Sequence, residues 1–136
     1  MSWEAERTPE FDEWWEALSD REQRHVVASV EALEELGPSA GRPLVDSVNG
    51  SKHPNMKELR IGRTIRVFFA FDPRRIAILL IGGDKAGRTK RFYKQMVREA
   101  DRIYQEHLNT PRAREHEEME NDGPQQKVQR TQRGGP

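Results

Sequence analysis

Between residues 56 and 81 three runs of strand-forming residues follow one another with very short gaps: MKELRI (56–61), TIRVFFAF (64–71) and IAILLI (76–81). Connections this short cannot cross a sheet face, so successive runs must pair antiparallel, as a meander. Asp72-Pro73-Arg74-Arg75 fits a type I turn between the last two, with Asp at its first position and Pro at its second. The surprise is the arginines at 60, 63, 66, 74 and 75, placed in and around what reads as sheet core.

Register offers a first explanation. A two-residue turn at Gly62-Arg63 would set Leu59 opposite Arg66 and Arg60 opposite Ile65, mixing apolar and charged groups on both faces. A three-residue turn at Ile61-Gly62-Arg63 pairs Leu59 with Ile65 and Glu58 with Arg66. It separates an apolar face (Leu59, Ile65, Val67, Phe69) from one bearing Glu58, Arg60, Thr64 and Arg66. This second register is expected, with Arg60 and Arg66 on an open sheet face and Lys57 near the start of the strand. An ordinary solvated face is the plain alternative.

The flanking segments read as helices. Thr8 can cap a helix with Pro9 in its first position, and Phe11, Trp14, Trp15 and Leu18 then share one face. Ser19 and Glu22 form a capping-box pattern for a second helix, which carries Val26, Val27, Val30, Leu33 and Leu36 and stops at Gly37-Pro38. SWEAER before this hairpin has the alternation of a short edge strand, and PLVDSV lies as one short element in a loop over 38–55. From about Lys90 to His107 an apolar stripe of Phe92, Tyr93, Met96, Val97, Ala100, Ile103 and Tyr104 predicts a long helix. The fold class is therefore α+β: a short strand, a helical hairpin, a three-stranded antiparallel sheet and a C-terminal helix. The domain is expected over 1–109, and the polar segment 110–136 is expected to be disordered.

Composition narrows the chemistry. A chain of 136 residues has room for one domain, and without cysteine it can hold neither a disulfide nor a thiolate metal site. EHEEME in the tail offers one histidine and no second one at helical spacing, so no metal is expected. The longest apolar run, IAILLIGG (76–83), is far too short for a membrane span, and a cytoplasmic protein is expected. The formal charge of zero conceals segregation. Residues 1–37 hold three arginines against eleven acids, and residues 51–98 hold thirteen lysines and arginines against three acids. A fold that gathers the middle block on one surface would offer a cationic patch suited to phosphate or to an acidic protein. GGDKAGRT (82–89) approaches the G-x-x-x-x-G-K-[ST] phosphate loop, but Arg88 stands where its lysine belongs, and so few residues supply no parallel nucleotide-binding sheet.

NMKELRIGRTIRVFFAFDPRRIAILLIGGDKAGRTKRFY, with ADRIYQEHL behind it, resembles the RelE/HigB superfamily of type II toxin–antitoxin toxins, in particular its phage-derived HigB-like branch. The resemblance implies the RelE/ParE-like form of the α+β fold. It also implies a metal-independent, ribosome-dependent endoribonuclease that cuts mRNA and is neutralised by a cognate antitoxin, usually a helix-turn-helix protein. Arg66 in RVFF matches the family's sheet arginine and is implied as the phosphate and transition-state clamp, with Arg60 and Lys57 of KELR beside it. Lys85 is implied to stabilise the phosphate or leaving group, and Tyr93 to stack on a base or transfer a proton. Arg63, Arg88, Lys90 and Arg91 are expected to bind RNA. The proton acceptor stays open between Lys57, His53 and another group, and the plain reading of Glu58 is no more than a cross-strand pair with Arg66. The same fold also serves inhibitors of DNA gyrase that cleave nothing, and a non-catalytic phage-derived binding protein is a further alternative.

Overall fold

The computed structural model describes residues 2–110. The chain divides into two compact units, residues 1–104 and residues 105–136. Of the second unit only 105–110 are described, so the expected disorder of the tail lies outside the described residues from 111 onward.

The elements run β1 (Glu4–Arg7), α1 (Pro9–Glu16), α2 (Asp20–Leu36), a 3₁₀ turn (Gly37–Ser39), β2 (Val45–Ser47), β3 (Met56–Ile61), β4 (Ile65–Asp72), β5 (Ile76–Asp84) and α3 (Thr89–Leu108). They form one five-stranded sheet in the order β1-β5-β4-β3-β2. β1 pairs parallel with β5; the meander expected at the centre is present, the expected short first strand joins it as β1, and β2, inside the PLVDSV segment, brings the sheet to five.

Local chemistry sets the helix ends. Thr8 accepts a bond from the Phe11 amide at 3.2 Å, while its hydroxyl donates to the carbonyls of Leu79 and Leu80, each at 2.9 Å. One side chain thus caps α1 and ties it to β5. Ser19 and Glu22 close the expected capping box. Gly37 ends α2 at φ +58°, where an added Cβ would also lie 2.5 Å from the Trp3 ring.

The hairpin turn falls one residue later than expected. Ile61 pairs with Ile65, Arg60 with Arg66 and Leu59 with Val67, so Gly62-Arg63-Thr64 forms the turn, with Gly62 at φ +64°. A shift of one residue in the turn moves each partner by two, which keeps the expected division of faces but sets two arginines directly opposite each other. Leu59, Ile61, Val67, Phe69, Ala77 and Leu79 form one face and pack with Phe11, Val26 and Leu33 of the helical hairpin.

The opposite face is not open as expected. Phe68 lies there, with the Phe92 and Tyr93 rings of α3 at 6.1 and 6.0 Å between centroids. Strand β5 also runs on through Gly82 and Gly83 to Asp84, where the sequence reading ended it at 81. Both glycines permit close approach. A Cβ at Gly82 would lie 2.6 Å from the Trp14 ring on one face, and a Cβ at Gly83 would lie 2.8 Å from Phe92 on the other. The pair therefore marks where helices press on the sheet from both sides.

Two of the surprising arginines are structural. Arg74 makes a two-pronged contact with Asp72, Nε to Oδ1 at 2.9 Å and a terminal nitrogen to Oδ2 at 2.8 Å, inside the β4–β5 turn. The Arg75 amide donates to the Asp72 carbonyl, closing the expected turn, and its guanidinium lies 5.1 Å from the centroid of the Trp3 ring.

Candidate active site

Alternation along β3 puts Met56, Glu58 and Arg60 on the face covered by α3, and Lys57, Leu59 and Ile61 on the hairpin face. Glu58 is 3% exposed. Its Oε1 accepts the Tyr93 hydroxyl at 2.5 Å, Arg60 Nε lies 3.2 Å from its Oε2, and Arg66 Nε lies 3.9 Å from its Oε1. One carboxylate is therefore the ion-pair partner of two guanidiniums that the register sets opposite each other, an arrangement that would be repulsive without it.

Each member of this cluster is held from behind. Glu58 stands across from Phe68, and the Tyr93 ring meets Phe68 edge-on, which brings the phenol over the carboxylate. The Arg66 guanidinium folds back on the β3–β4 turn, donating to the carbonyls of Ile65 at 2.8 Å and Arg63 at 3.1 Å. Burial first, and then the bond to Glu58, push the Tyr93 phenol above its ordinary value, while Arg66 pulls it the other way. Tyr93 thus keeps its proton at neutral pH.

The surrounding cations gather at the same end of the sheet. The Lys85 amide donates to the Thr64 carbonyl at 2.9 Å, which joins the β5–α3 loop to the β3–β4 turn. Lys85 is therefore tied to Thr64, the residue that follows Arg63 in the turn. Arg60, Gly62, Arg63 and Arg66 line an open depression of about 550 Å³ together with Pro43 and Leu44. Arg88, Lys90 and Arg91 are exposed at the entry to α3, whose first turn contains no acid. Cations at the positive end of a helix are unfavourable by themselves, and an incoming anion relieves that cost.

The structure thus brings Arg60, Arg66 and Tyr93 into direct contact around Glu58, with Arg63 and Lys85 beside them. Lys57 stands apart from them: its Nζ approaches Ser47 Oγ at 3.5 Å, from the other side of the sheet. His53 is remote as well, packing edge-on against Tyr104 at 4.8 Å, and Tyr104 lies about 16 Å along α3 from Tyr93. Glu58 is the member that sequence reasoning underweighted. The signal was its expected pairing with Arg66, but its bond to Tyr93 spans 35 positions. Among the described residues no group of three or more His, Asp or Glu side chains could hold a metal ion, and no helix is long and apolar enough to cross a membrane.

A family model described as phage derived protein Gp49-like (DUF891) matches residues 13–105. The chain belongs to this family. Two relatives from Mycobacterium tuberculosis strengthen the assignment of the Gp49-like chain. "Putative toxin HigB2" is 48% identical over 99 residues, a match covering 70% of this chain and 49% of the relative. "Putative toxin HigB3" is 50% identical over 94 residues, covering 68% of this chain and 82% of the relative. The Gp49-like chain therefore spans about half the length of the first and most of the second.

Solved structures share the fold at low identity. The toxin–antitoxin complex RelBE2 from Mycobacterium tuberculosis matches with a TM-score of 0.52 at 14% identity, covering 62% of this chain and 99% of that one. The archaeal RelE–RelB complex from Pyrococcus horikoshii matches with 0.53 at 16%, covering 65% and 100%. A mutant of the E. coli toxin RelE in the free state matches with 0.53 at 7%, covering 71% and 95%. The RelE/HigB resemblance carried by the KELR to GGDKAG segment is borne out, and with it the α+β RelE-like fold of this Gp49-like protein.

Proposed function

We propose that this Gp49-like chain is the toxin of a type II toxin–antitoxin system and acts as a ribosome-dependent mRNA endoribonuclease. The observation that carries the reading is the contact set of Arg60, Arg66 and Tyr93 around Glu58, at the sheet end where Arg63 and Lys85 also lie. RNA can be cleaved with its own 2′-hydroxyl as nucleophile: the 2′-oxygen attacks phosphorus, the bond to the 5′-oxygen breaks, and a cyclic phosphate and a 5′-hydroxyl result. The step needs cations around the developing charge and groups that move two protons. Arg60, Arg66 and Lys85 supply the cations, and Tyr93 is the proton-transfer group, or the ring on which a base stacks.

Such a site is weak until its substrate is positioned, because nothing in it forces the 2′-oxygen into line. The ribosome supplies that alignment by holding the mRNA, and the exposed Arg88, Lys90 and Arg91 hold the strand's phosphates. The partner that silences the protein is a cognate antitoxin, a helix-turn-helix protein in this reading, whose acidic segment covers the same cationic surface and competes with phosphate. RelBE2 is itself a toxin–antitoxin complex and the archaeal structure is a RelE–RelB complex, which supports a partner of this kind.

The test is controlled expression in bacteria, with mRNA 5′ ends mapped shortly after induction. New 5′-hydroxyl ends in phase with translated codons are expected with the wild type and not with Tyr93→Phe. Growth arrest with intact mRNA would overturn the nuclease reading and direct attention to gyrase or another protein target.

A further inference from the structure

The Glu58 carboxylate has no evident reason to stand inside a site built for phosphate. It is an anion among the cations meant to receive one, and it is 3% exposed. Its contacts account for it: Tyr93 Oη donates at 2.5 Å to the oxygen nearest Arg66, and Arg60 lies 3.2 Å from the other oxygen. Arg60 and Arg66 face each other directly across β3 and β4, and like charges in that relationship drive each other's side chains apart.

We propose that Glu58 is the positioning residue of the site, binding Tyr93 and the Arg60–Arg66 pair into one geometry at the expense of affinity for the incoming phosphate. The role rests on the nuclease reading above, but its physical consequences can be measured without it. The carboxylate offsets one of the two guanidinium charges, so removing its charge strengthens the attraction of the site for any polyanion. It also accepts the Tyr93 proton, so removing its charge makes the phenol easier to ionise. The charged groups facing Tyr93 are Glu58 from β3 and Arg66 from β4, and these act on the phenol in opposite directions. Positioning and binding therefore pull apart: loss of Glu58 gives tighter binding and slower cleavage, whereas a merely structural residue would weaken both.

Glu58→Gln, which keeps shape and removes charge, tests this on the full chain. The chain has two tyrosines, so the Tyr93 ionisation is the difference between the ultraviolet titrations of a protein and its Tyr93→Phe counterpart. The binding probe is a short single-stranded DNA, which lacks the 2′-hydroxyl and cannot be cut. Glu58→Gln is expected to lower the pH at which Tyr93 ionises, to bind the DNA about 3-fold or more tightly at low salt, and to cut mRNA about 10-fold or more slowly in translating cells. An unchanged Tyr93 titration together with unchanged DNA affinity would overturn the proposal.

Should Glu58→Gln fail to fold, Glu58→Asp decides: it keeps the charge and shortens the reach. DNA affinity at the wild-type level with Tyr93 ionising at lower pH supports the positioning role, and an unaltered titration refutes it. If the wild type itself cuts no mRNA, the nuclease reading fails, while the titration and DNA binding still decide the role of Glu58.

Discussion

The Tyr93 hydroxyl donates to the Glu58 carboxylate at 2.5 Å, and through that bond α3 is anchored to the middle of β3 on the charged face of the sheet. Phe68, opposite Glu58 on β4, supports the Tyr93 ring from below. The cluster is thus assembled from three elements, and its members respond differently to substitution.

Arg60 and Lys57 are near neighbours in sequence and point to opposite faces of the sheet. Arg60→Ala is expected to reduce mRNA cleavage at least about 10-fold, as removal of a transition-state donor does. Lys57→Ala should retain most of the activity. Parallel mapping of mRNA ends for both variants checks this, and an equal loss in the two would place Lys57 in the machinery after all.

Gly82 lies under the Trp14 ring, where an added Cβ would come within 2.6 Å of three ring atoms. Gly82→Ala is expected to destabilise the fold by about 1–3 kcal/mol through overpacking. Chemical denaturation of the single variant and of its combination with Trp14→Leu measures this. The smaller side chain should recover part of the loss, and a fully additive double variant would contradict the contact.

Much of this framework was legible from local chemistry. As caps and turn, Thr8, Ser19 with Glu22, Gly37 and Asp72-Pro73 act through neighbours within a few residues, and each stands where the sequence places it. The strand faces were legible from alternation, whereas the turn position was not. A turn at 61–63 or 62–64 separates the faces equally well, and the observed turn lets Thr64 accept a bond from Lys85, a contact over 21 positions. Gly82 and Gly83 read as loop because glycine signals turns, yet here they make room for Trp14 and Phe92. Arg66 was expected on an open face. Its burial depends on the docking of α3, and a contact between Tyr93 and Glu58 leaves no trace in the local pattern of either segment.

Thr8 both caps α1 and bonds the Leu79 and Leu80 carbonyls from a buried position. Thr8→Ala removes the cap and the hydroxyl bonds to the Leu79 and Leu80 carbonyls, of which Leu79 keeps its bond from the Thr8 amide, and is expected to cost about 2 kcal/mol. Thr8→Ser should cost clearly less, because it keeps the hydroxyl. Denaturation midpoints of the two variants give the answer, and equal losses would assign the role to the methyl group.

Burial shifts the ionisation of both tyrosines to higher pH, Tyr93 with help from Glu58 and Tyr104 with help from Asp72. The unfolded chain then loses its phenolic protons first, so their contribution to stability is complete below pH of about 10 and is lost as pH rises towards the folded-state values. Stability measured against alkaline pH should fall from that point. The fall should be shallower in Tyr93→Phe, and an identical slope would show that Tyr93 ionises as easily when folded as when unfolded.

The central claim is best tested with purified components: ribosomes carrying a defined mRNA with a sense codon in the decoding site, mixed with the wild type or with folded Arg66→Ala. Cleavage of the ribosome-bound mRNA with a 5′-hydroxyl on the downstream fragment is expected. Little cleavage of the same mRNA free in solution is expected, and none with the variant. Intact ribosome-bound mRNA at saturating wild-type protein, or equal cleavage by Arg66→Ala, would contradict the claim.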